Sequence, residues 1–87
     1  MMRELYLAAG SPDLSALGTE EALALVGCRL VGTSYRREIV SADGTLLVWG
    51  VSSYEARTWL HLQLGLPLPA CTRPHDLDAL KEKETAR

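Results

Sequence analysis

Four side chains in this sequence are of the types that hold a transition metal: Cys28, His61, Cys71 and His75, all the cysteines and histidines it has. Two thiolates and two imidazoles would suit tetrahedral zinc, and Cys71-Thr72-Arg73-Pro74-His75 is compact enough for both ends to reach one ion. The paired CxxC of zinc modules is missing, however, and a cysteine at a strand start, as Cys28 is, more often packs as a small hydrophobe. No metal site and no cofactor are therefore assigned. No GxSxG, HExxH, GxxxxGK[ST], GxGxxG or CxxC pattern is present either, and neither histidine stands beside a serine or cysteine in a nucleophile motif. A pairing such as His61 with Asp43 would have to be made in space, and few polar groups are available to hold it. The sequence reads as non-enzymatic.

The residues best suited to binding are Tyr35, Arg36, Arg37 and Trp49. Arginines contact phosphate and aromatic rings stack on bases, so with Arg29 nearby these could serve a nucleic acid. The RNP1 arrangement of basic residue, glycine and aromatic is absent, and Glu38 stands beside the arginines. Charges that keep an edge strand from aggregating explain Arg36 and Arg37 as well. Trp49 is the better anchor for a protein interface, where buried Trp and Arg often dominate the binding energy.

The elements that must position these groups follow from local pattern. Arg3 to Ala9 alternates Leu5 and Leu7 with other residues, which predicts a strand. Leu17 to Gly27 predicts a short helix with Thr19 as N-cap, acids in its first turn and Gly27 after the last apolar residue. Cys28 to Val40, rich in β-branched residues, predicts one long strand. Asp43-Gly44 then supplies a tight hairpin turn, and Leu46 to Val51 returns. A two-residue loop there would set Val40 opposite Leu47, Ile39 opposite Val48 and Glu38 opposite Trp49. Ser52 and Glu55 form a capping box for a second helix that ends at Gly65, with Ala56, Trp59, Leu60 and Leu64 on its buried face. Leu66 to Thr72, interrupted by Pro67 and Pro69, can be only an edge strand or an extended strap. Residues 74–87 predict a marginal C-terminal helix, frayed at Lys81-Glu82-Lys83-Glu84, appended to a single domain spanning residues 1–73.

The expected class is thus α+β: a small antiparallel sheet in β-α-β-β-α order, ferredoxin-like if Leu66 to Thr72 pairs, with the helices on one face. At 87 residues there is room for one core. With 47% apolar and 23% charged residues and a net charge of -2, the chain should fold, and it has no global attraction to nucleic acid or anionic membrane. No apolar run is long enough to span a membrane, and the start lacks a signal peptide, so a cytoplasmic protein is expected. The lack of Asn, the single Gln63 and the excess of Arg over Lys hint at a thermophilic source. Large apolar groups on both faces of the hairpin exceed what two short helices can cover. The expectation is a small interaction or regulatory protein that self-associates as a homo-oligomer, or binds a protein partner, through a sheet face or edge. The alternative is a nucleic-acid-associated regulator using Arg36 and Arg37.

Overall fold

The computed structural model describes residues 2–33, 37–70 and 72–84. Helix α1 (Met2–Ala8), a single 3-10 turn (Leu14–Ala16) and helix α2 (Thr19–Leu25) precede the strands β1 (Cys28–Gly32), β2 (Arg37–Ser41) and β3 (Leu46–Val51). Helices α3 (Ser53–Leu64) and α4 (Pro74–Lys83) follow. The sheet is antiparallel in the order β1-β2-β3. This is an α+β fold, but not the β-α-β-β-α or ferredoxin-like order.

Three departures account for the difference. The first segment is a helix: Met2 and Tyr6, one turn apart, face the core, while Leu5 and Leu7, whose alternation suggested a strand, are 40% and 56% exposed. Tyr6 is fixed further by donating its hydroxyl to the Pro12 carbonyl at 2.9 Å. Second, Cys28 to Val40 is two strands. Gly32 at φ 107°, a conformation that favours glycine, ends β1, and β2 begins at Arg37. Third, no strand forms in residues 66–70; the segment is a strap, as its prolines, which lack the N–H for a ladder bond, allow.

The β2–β3 hairpin lies where Asp43-Gly44 placed it, but its loop is Ala42-Asp43-Gly44. The Gly44 amide donates to the Ser41 carbonyl at 3.0 Å, and the Ser41 amide to the Thr45 carbonyl at 2.9 Å, with Gly44 at φ 88°. That is the three-residue loop closed by a left-handed glycine. The register then slips twice. Ile39 does pair with Val48, but Val40 pairs with Leu46 and Arg37 with Val51. In each interval β3 carries one residue more than β2, the count of a β-bulge. Gly50, at φ 65°, lies in the second extra step, and it turns Val51 back to the side that Val48 faces.

The helices gather on that side. Tyr6, Leu23, Trp59, Leu60 and Leu80 form one buried cluster with Cys28, Ile39, Val48 and Val51. Helix α3 matches its sequence: the Ser52 hydroxyl accepts from the Glu55 amide, the Glu55 carboxylate accepts from the Ser52 amide, and Gly65 closes the helix at φ 70°. Helix α2 starts one residue earlier than expected, with Gly18 as N-cap in place of Thr19. The C-terminal segment does more than trail: α4 runs to Lys83, buries Leu80 to 1% exposure, and bridges Glu84 to Val48 along the outer edge of β3. Its register is helped by a 2.9 Å ion pair from Lys83 to Glu55.

Candidate interaction surface

Because alternate residues of a strand point to opposite sides, the sheet has a second face. Cross-strand partners share a side, so Arg29 lies with Val40 and Leu46, and Val31 with Glu38. Trp49, next to the core residue Val48, points the same way and is 46% exposed. None of the clustered helix residues reaches this side. Val40 is 8% exposed yet stands outside the core cluster, on the side of its strand partners Arg29 and Leu46. The face is a small apolar patch of Val31, Val40, Leu46 and Trp49 flanked by two exposed charges, Arg29 and Glu38.

The edges of this face differ. β3 carries Glu84 of the C-terminal segment on its outer side. β1 pairs only with β2, and among the described residues nothing pairs with its other side. A groove of about 310 Å³ runs along that free side between α2 and β1, lined by Glu20, Ala24 and Cys28 to Val31. Among the described residues neither Arg29 nor Glu38 makes an ion pair.

Of the four residues singled out for binding, Tyr35 and Arg36 lie outside the described residues. Arg37 and Trp49 are not brought together. Arg37 reaches the helix side and meets Glu20 of α2 at 3.5 Å, whereas Trp49 faces away from the helices. A single ligand on the open face would meet the ring without that cation. Arg29 and the free edge of β1 take that place, and the sequence signal for them was present: a short apolar segment carrying one charge, closed by Gly32.

The metal-binding residue types are dispersed. Cys71 is outside the described residues, and among those described no three of His, Cys, Asp and Glu converge on a common ion position. Cys28 is buried, 3.6 Å from the Met2 sulfur, and burial pushes its thiol pKa up, which keeps it protonated and unreactive. His61 donates its Nδ1–H to the Pro67 carbonyl at 2.8 Å, and His75 lies 3.3 Å from Asp76.

A concavity of about 640 Å³ opens between the starts of α3 and α4 and is lined by Tyr54, Glu55, Thr58, Thr72, Arg73 and His75. Its polar groups are mostly spent on structure. Thr58 and Thr72 bond each other at 3.2 Å, Asp76 accepts from the Arg73 amide at 2.9 Å, and Glu55 is held by Ser52 and Lys83. Burial works to raise the Glu55 pKa, but Lys83 and the Ser52 amide outweigh it and hold the carboxyl below its usual range.

The chain matches no protein-family model, no curated protein and no solved structure. Among the described residues no helix is long and apolar enough to cross a membrane.

Proposed function

We propose that this protein is a small non-enzymatic interaction module that self-associates through its sheet. The observation that supports this reading is the half-exposed Trp49 on the sheet side opposite the core cluster, together with an edge of β1 that no strand pairs with among the described residues. A large aromatic in that position is the type of side chain that anchors interfaces, and a lone exposed tryptophan costs hydration free energy that only a partner recovers. Magnitudes shape the proposal further. Three strands of about five residues present roughly 250 Å², within the size of patches that monomers carry. A stable interface needs about 800 Å² from each partner. The face alone therefore supports only weak pairing, and the contact extends beyond it.

Sedimentation equilibrium over a wide concentration range tests this. The expected result is a mass rising from one chain toward two. A single-chain mass throughout, up to millimolar protein, would overturn it.

A further inference from the structure

We infer that the second copy docks on the free edge of β1, antiparallel to it, with Leu30 opposite the partner's Leu30. This rests on the self-association proposed above and adds the place and the register.

The edge is accessible, since the groove beside it is open and its helix wall offers the small exposed Ala24 next to Leu30. A strand added there continues the sheet across both copies, and the open outer face becomes twice as wide, roughly 500 Å². The contact itself is made by main-chain hydrogen bonds along β1, as in strand addition elsewhere, with side-chain selection on top, and the widened outer face stays open.

The register follows from three exclusions. Odd shifts would put core-side residues on the outer face, so only even ones are open. Centring the pair on Arg29 sets two arginines directly opposite each other, which is repulsive. Centring it on Val31 runs Cys28 and Arg29 past the end of the partner's strand. Centring on Leu30, the middle of the five-residue strand, pairs its full length. It also places Arg29 opposite the partner's Val31, and beside that residue on the next strand stands the partner's Glu38, by the observed Val31–Glu38 pairing. The separation is two strand spacings, about 10 Å, which an extended arginine and glutamate span together. The two-fold axis makes the contact twice. Two charges left without ion-pair partners among the described residues thus find each other across the axis, over the apolar floor of Val31.

Charge exchange and cross-linking in the full chain test the register. Arg29→Glu and Glu38→Arg should each weaken dimerisation on the order of tenfold or more, because each turns two attractions into repulsions. The double variant Arg29→Glu/Glu38→Arg should recover most of the loss. Both positions are exposed, so folding measured by circular dichroism should hold throughout. In a Cys28→Ala/Cys71→Ser background, Leu30→Cys should form a disulfide dimer on mild oxidation and Trp49→Cys should not. A wild-type chain that is monomeric at every concentration would sink both the register and self-association. A wild-type dimer that ignores Arg29→Glu, and cross-links through Trp49→Cys but not Leu30→Cys, would overturn the edge register while leaving self-association standing. Failure of the double variant to recover would remove the Arg29–Glu38 contact.

Discussion

Ile39 and Val40 are neighbours in β2, both are buried, and they are buried by different things. Ile39 is sealed beneath helices in the main cluster, whereas Val40 lies on the opposite side of the sheet, outside that cluster. The first kind of burial belongs to the folded chain and is complete. The second is provisional, because a side chain covered by half-exposed neighbours such as Leu46 and Trp49 gains from anything that covers them in turn. The contrast separates the residues that hold the fold from those free to serve a partner.

Substitutions can break that contrast. Ile39→Ala should cost about 2–5 kcal/mol in urea-melt stability, since its cavity cannot fill with water or collapse fully. Val40→Ala should cost only about 1 kcal/mol, close to the transfer cost of the lost carbons; an equal loss at the two positions would mean that the outer face is sealed after all. Ser52→Ala, which removes the cap of a helix on the covered side, should cost about 1 kcal/mol by the same assay. Trp49→Ala should change the stability of the dilute chain by less than about 0.5 kcal/mol.

The smallest effect is one of pH. The Ser41 hydroxyl, with help from Thr45, holds the Asp43 carboxyl down to about 2. A folded pKa below the unfolded value of about 3.9 stabilises the hairpin above that value, and the benefit is lost as pH falls through about 2. Asp43→Asn should therefore lose that contribution at pH 7 and flatten the stability curve between about pH 4 and 2 relative to wild type. An unchanged acid limb would show that the turn does not favour the ionised form.

What could be read from the sequence was local. Ser52, Glu55 and Gly65 mark α3 because a cap is made within one turn, and Asp43-Gly44 marks its hairpin for the same reason. The start of the chain was misread because Leu5 and Leu7 alternate by type but not by burial; Met2 and Tyr6, a turn apart, carried the helical signal. The break inside residues 28–40 rested on Gly32 alone. The bulges of β3 were not legible, since a slip of register is a relation between two strands and Gly50 shows only that one can be accommodated. Of the candidate surface, Trp49 was identified from crowding within a small sheet. Its separation from Arg37, and the prominence of Arg29, depend on which face each residue takes, and that waits on pairing.

Leu80 has a consequence for how the chain is made. It is the last core residue to be synthesised, and with Glu84 it covers the outer edge of β3. A chain growing from its N-terminus therefore completes its sheet before it owns that cover. During this interval both sides of the sheet are open to pairing, one briefly and the other for good, and crowded ribosomes on one message would offer neighbouring copies to each.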